Sequence, residues 1–120
     1  MPKARLHVET PAMAAHMAQA DCALGGNGAT SWERCCLGLP ALTAVLADNQ
    51  RGIAKALAEA RAVTVLGDWQ PALAEPMVRE ALALTPTRLA AMADAAAGIC
   101  DGLGIFRAVE ALNPLRAGLA

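Results

Sequence analysis

Three glycines, Gly25, Gly26 and Gly28, stand within four positions, directly behind a short apolar run of Cys22, Ala23 and Leu24. Thr30 and Ser31 follow, and then the carboxylate of Glu33. In that order the residues predict a strand, a tight loop and the first turn of a helix. Glycine lets a backbone turn at positive φ and lets a ligand approach closely. The unbonded amides and the dipole of a starting helix favour an anion at that point. The chemistry on offer is the holding of a phosphate-bearing ligand, with Glu33 accepting hydrogen bonds from sugar hydroxyls. Each part also has a plainer use: such a loop is often only a turn, Glu33 a partner for the dipole, and Asn49 a cap for the next helix.

The elements that must position these groups follow from periodicity and punctuation. Residues 6–9 (Leu-His-Val-Glu) predict a short strand. Thr10 and Pro11 give the start signal of a helix over 12–20, with Met13, His16, Met17 and Ala20 on one face. A strand at 22–24 enters the glycine loop, and a helix over 31–37 leaves it, ended by Gly38 and Pro40. The run at 41–46 is apolar enough for a buried parallel strand. After a loop at 47–50, Ile53, Ala54, Leu57, Ala58 and Ala60 lie largely on one side of a helix over 51–60. A fourth strand is predicted at 63–66, closed by Gly67 and Asp68. Beyond it the pattern is helical: a segment at 72–84 whose start Pro76 limits, one from a Thr85 cap and Pro86 to Cys100, and one at 103–112 stopped by Asn113 and Pro114. Strands alternating with helices predict an α/β fold with a parallel sheet.

In open α/β sheets ligands bind beyond the carboxyl ends of the strands. Three of the loops that leave such ends carry groups suited to a nucleotide sugar. Thr10 can meet a base edge, the loop of Gly25, Gly26 and Gly28 with Thr30 and Ser31 can hold a diphosphate, and Glu33 can take the ribose. Asp48, Asn49 and Gln50 can reach the hexose. His16 reads as structural or partly exposed, His7 has no assigned role, Trp32 and Trp69 read as packing residues, and Met13, Met17, Met77 and Met92 as core filler.

Composition removes several alternatives. A chain of 120 residues builds one domain. The net charge is −1 and the aromatic residues are two tryptophans and one phenylalanine, so neither a basic footprint nor a stacking surface for nucleic acid is present. No apolar run approaches the roughly 18 residues of a membrane span. The first residues lack the apolar segment of a signal peptide, which implies a cytoplasmic protein. Cys22, Cys35, Cys36 and Cys100 match no zinc spacing and read as reduced thiols, and nothing calls for a cofactor.

The string Gly-Ala-Thr-Ser-Trp-Glu-Arg-Cys-Cys-Leu-Gly-Leu-Pro at 28–40, followed by Ala-Asp-Asn-Gln at 47–50, resembles the C-terminal domain of the bacterial UDP-sugar hydrolases of pseudaminic acid biosynthesis. These group with spore-coat polysaccharide proteins of glycosyltransferase-like type. Residues 101–112 resemble the family's last helix, and the pattern is more distantly similar to the N-acetylglucosaminyl transferase of peptidoglycan synthesis. The resemblance runs over roughly residues 5–112. It implies a truncated Rossmann-like C-terminal half-domain of GT-B type, with about four parallel strands and an all-helical last third. It implies that Glu33 binds ribose, that residues 28–30 bind phosphate, that Asn49 faces the sugar, and that Thr10 lies near uracil. Asn27 replaces the small residue usual in that loop, and tolerance of a left-handed turn is its expected role.

The family's N-terminal domain, which supplies a catalytic histidine, has no counterpart here, nor do two strands of the six-strand order 3-2-1-4-5-6. The implied sheet therefore has an open edge, and the expectation is a homo-oligomer, most simply a dimer, or a separately encoded N-terminal half. The expected function is the UDP-sugar-binding portion of a hydrolase, inactive by itself, with a non-catalytic oligomeric scaffold as the alternative.

Overall fold

A computed structural model describes residues 3–118 and shows an α/β fold around a three-stranded, fully parallel sheet of order β1-β2-β3. The elements are α1 (Met13–Gln19), β1 (Ala23–Gly25), α2 (Thr30–Cys36), β2 (Ala41–Val45), a 3₁₀ turn (Asp48–Gln50), α3 (Arg51–Glu59), β3 (Val63–Asp68), a second 3₁₀ turn (Pro71–Leu73), α4 (Ala74–Ala83), α5 (Pro86–Ala97) and α6 (Gly104–Gly118). β2 is central, with Ala41 opposite Ala23 on one side and Val63 on the other.

The alternation of a strand explains the layers. Ala23, Ala41, Val63 and Val65 face one side of the sheet, where Cys35 of α2, Leu57 of α3 and Ala96 of α5 complete the core. The opposite side carries Leu24, Leu42 and Ala44, with Met77 of α4 packed nearby. Leu42, Leu57 and Met92 are at most 2 % exposed, and burial of each contributes about 1.5–3 kcal/mol. Met77 and Met92 are core as expected, whereas Met13 is exposed and Met17 half-buried. Trp32 and Trp69, expected to pack, are 42 % and 46 % exposed.

Helix ends are set by local chemistry. The Thr85 hydroxyl accepts the amide of Arg88 at 3.1 Å, and Pro86 opens α5. Gly38, at φ 64°, closes α2 with the bonds Leu39 N to Arg34 O and Gly38 N to Cys35 O. The same motif closes α3, but there the left-handed position is held by Arg61 at φ 64°.

Three expectations need correction. Residues 6–9 form no strand: they are exposed, the chain bends at Val8 and Glu9 with Glu9 at φ 52°, and Leu6 and Val8 stand 89 % and 74 % open. A lone tetrapeptide with no neighbour to complete its ladder gains too little to order as a strand. The sheet therefore has three strands rather than four. The last helix is not stopped at Asn113 and Pro114 but continues to Gly118 with Pro114 inside it. Pro114 forfeits only the bond to residue 110, and on so exposed a helix that carbonyl is solvated instead. The Cα radius of gyration, 16.9 Å, exceeds the ~13.6 Å of a compact chain of this length, and the longest extent is 62 Å.

Candidate functional site

The glycine loop lies at the carboxyl end of β1 and leads straight into α2, the geometry the sequence implies. Its conformation has a different physical basis from the one expected. None of Gly25, Gly26 and Gly28 has positive φ. At Gly26 the constraint is closeness: a Cβ there would sit 2.6 Å from Cδ1 of the exposed Leu46, which would have to turn aside, and 3.3 Å from Gln50 Oε1 in the clamp. Asn27 is likewise not left-handed. It is completely buried, and its Nδ2 donates to the carbonyl of Ala44 at 3.1 Å, tying the loop to β2.

Two further side chains clamp the loop. Gln50 Oε1 accepts the amide of Asn27 at 3.2 Å and that of Leu46 at 3.4 Å, joining the loops after β1 and β2. Arg34, 5 % exposed, donates from Nη2 to the Gly26 carbonyl at 2.6 Å and to Ser31 Oγ at 3.1 Å. Burial pulls the Arg34 guanidinium below its ordinary value. The amides of Ser31 and Trp32 are consumed by the carbonyls of Gly28 and Ala29. Among the described residues, the amides of Gly28, Ala29 and Thr30 have no partner in the chain, and Ala29 and Thr30 are exposed. They form a short run of donors on the rim, with the exposed Glu33 one turn further along α2.

The other expected site residues divide in the same way. Thr10 is half-buried, and its Oγ1 accepts the amide of Ala12 at 3.1 Å, which starts α1. Ser31 is buried and engaged by Arg34, so it supports the loop from beneath. Gly25 and Gly26 line an apolar basin of about 320 Å³ with Leu24, Leu46, Trp69 and Met77. Asn49 is exposed on the first 3₁₀ turn, while Gln50 is turned into the clamp. Asp48 pairs with Arg51, whose Nη1 and Nη2 also grip both oxygens of Asp68 at 2.7 and 3.0 Å. That grip raises the Arg51 guanidinium and lowers the Asp68 carboxyl.

The clamping residues Asn27 and Arg34 were missed as such. The signal for Arg34 was its place one turn past the loop, from which a long helical side chain reaches back toward the helix start. The arrangement can hold an anion on free backbone donors over a rigid base, and it can present Glu33 and Asn49 to hydroxyl groups. No family model, curated protein or solved structure matches this chain. Among the described residues no helix is long and apolar enough to cross a membrane.

Proposed function

We propose that the chain is the UDP-sugar-binding portion of a glycosyltransferase-like UDP-sugar hydrolase of GT-B type, acting in the cytoplasm on a UDP-diacetamido-trideoxyhexose of surface-polysaccharide or pseudaminic acid biosynthesis. The observation that carries the reading is the run of unpartnered amides at 28–30 on the carboxyl rim, held by Asn27, Gln50 and Arg34 from behind. In this reading the amides and the Thr30 hydroxyl take the diphosphate, Glu33 the ribose hydroxyls, Asn49 the hexose, and Thr10 the uracil edge. The chain contributes binding, and stabilisation of the departing diphosphate is its part in the chemistry. No catalytic acid or base is assigned to it. Calorimetry with UDP and UDP-N-acetylhexosamines tests the reading. Glu33→Ala removes charged hydrogen bonds of about 1.5–3 kcal/mol, so affinity falls roughly 10- to 150-fold. Absence of heat with every nucleotide would overturn it.

A second reading is a non-catalytic scaffold that assembles with a copy of itself. Its support is α6, where Ile105, Phe106, Val109, Leu112 and Leu115 are 52–69 % exposed along a helix of 15 residues. Light scattering decides it: a concentration-dependent dimer that Phe106→Asp and Val109→Asp dissolve supports the scaffold, and a monomer at micromolar concentration rejects it.

A further inference from the structure

Arg34 is a buried cation without an anion. It is 5 % exposed, and among the described residues no carboxylate forms an ion pair with it. Its Nη2 meets neutral acceptors only, the Gly26 carbonyl and Ser31 Oγ, and its Nε is buried with no partner at all. Nη1 makes no hydrogen bond either, yet it is not among the enclosed unpartnered atoms, so it retains contact with open space. Such a charge is expensive to keep from water unless paired, and a guanidinium is suited to a planar or tetrahedral oxyanion.

A space for the missing charge lies beside it. A groove of about 290 Å³ runs between α1 and the flank of α2, lined by Arg34 with Met13, His16, Met17, Cys22 and Thr30. It offers the half-buried His16 ring and the exposed Thr30 hydroxyl as further polar groups. Gly25 keeps the neighbourhood of the guanidinium clear, since a Cβ there would stand 3.1 Å from Nη1. The walls are otherwise apolar, which strengthens any charge pair formed inside.

We infer that the groove between α1 and α2 is an oxyanion-binding site in which Arg34 Nη1 binds a phosphate or carboxylate group, with His16 and Thr30 at its margin. The two readings share Thr30, but the nucleotide reading turns on the backbone of 28–30 and Glu33, and this one on the Arg34 side chain one turn deeper. A carboxylate of a polypeptide and a free phosphate share the required chemistry, and inorganic phosphate with acetate as the comparison separates tetrahedral from planar preference.

The test is a titration of the ¹⁵N-labelled chain with inorganic phosphate, then acetate, followed through the Arg34 Nε–H and the amides of Met17 and Thr30. The expected result is saturable shifts of all three, with affinity reduced at least ~10-fold by Arg34→Met, the loss of one charged hydrogen bond. Met17→Glu sets a competing carboxylate in the wall of the groove and gives the same loss without touching Arg34 or its Nη2 bonds, so it decides the matter if Arg34→Met fails to fold. Absence of saturation with either anion overturns the inference. So do shifts confined to the amides of 28–30, or an affinity that neither substitution reduces.

Discussion

Asn27→Ala gives the sharpest test of how the glycine loop is held. The side chain is 0 % exposed, its Nδ2 donates to the Ala44 carbonyl at 3.1 Å, and its Oδ1 is buried without a partner. Removing the amide orphans the Ala44 carbonyl inside the protein, at a cost of about 1–3 kcal/mol. Losing the already unsatisfied Oδ1 offsets part of that, which sets the expectation near the middle of the range. For a chain of this length each kcal/mol lowers Tm by about 4 °C, so a drop of roughly 4–12 °C should appear in thermal and urea unfolding. Asn27→Asp is the stricter perturbation: it replaces the donor with an anion facing a carbonyl, in a pocket with no room for water. It should destabilise more than Asn27→Ala at pH 7, and the gap should narrow as acid protonates the new carboxyl. An Asn27→Ala variant within 0.5 kcal/mol of the parent, on the scale of an ordinary surface change, would refute the stapled loop. Equal stability of the two variants would do the same.

Other expectations follow from the helix ends and the core. Arg61→Gly relieves a left-handed arginine at the end of α3, and the gain of about 1–2 kcal/mol less the entropy cost of glycine leaves a stabilisation near 0.5–1 kcal/mol, readable from a shifted urea midpoint. Met92→Ala empties a fully enclosed position and should cost about 2–5 kcal/mol in the same assay. At the start of α6 the Asp101 carboxylate is gripped by the Arg107 guanidinium and accepts the Leu103 amide, which holds its carboxyl well below the ordinary 3.8. A lowered folded value means that the stabilisation is complete above the ordinary carboxylate value and is lost as pH falls through the folded one. Helical circular dichroism should therefore be level from pH 7 to about 5 and decline only in stronger acid, with Asp101→Asn removing part of that decline. Both thiols are pushed up by desolvation, so exposure decides: thiol titration should find Cys36, exposed at the end of α2, reacting ahead of the enclosed Cys35.

The central α/β unit was legible because its signals are dense and mutually consistent. The largely apolar run of β2 fits a buried parallel strand, and it is enclosed at all five positions. Of the five apolar positions in the α3 pattern, Ile53, Ala54 and Leu57 face inward while Ala58 and Ala60 are exposed, and Thr85 with Pro86 marked the start of α5. Where tertiary context decides, the sequence misleads. Residues 6–9 have the alternation of a strand but no neighbour to pair with. Pro114 carries a stop signal that an exposed helix absorbs. At the loop, residue types were informative and geometry was not. Close approach of Leu46 and Gln50, rather than a left-handed turn, is what favours glycine at Gly26. The clamping roles of Asn27 and Gln50 depend on contacts across 17 and 23 positions, which local patterning does not encode.

The nucleotide-binding reading stands on backbone donors at the sheet's carboxyl rim, and an amide-resolved titration with UDP addresses them most directly. The account predicts saturable downfield shifts of the Gly28, Ala29 and Thr30 amides, with smaller changes at Glu33 and none at the Asn27 amide, which Gln50 already occupies. Saturation accompanied by shifts elsewhere, with residues 28–30 unmoved, would contradict it.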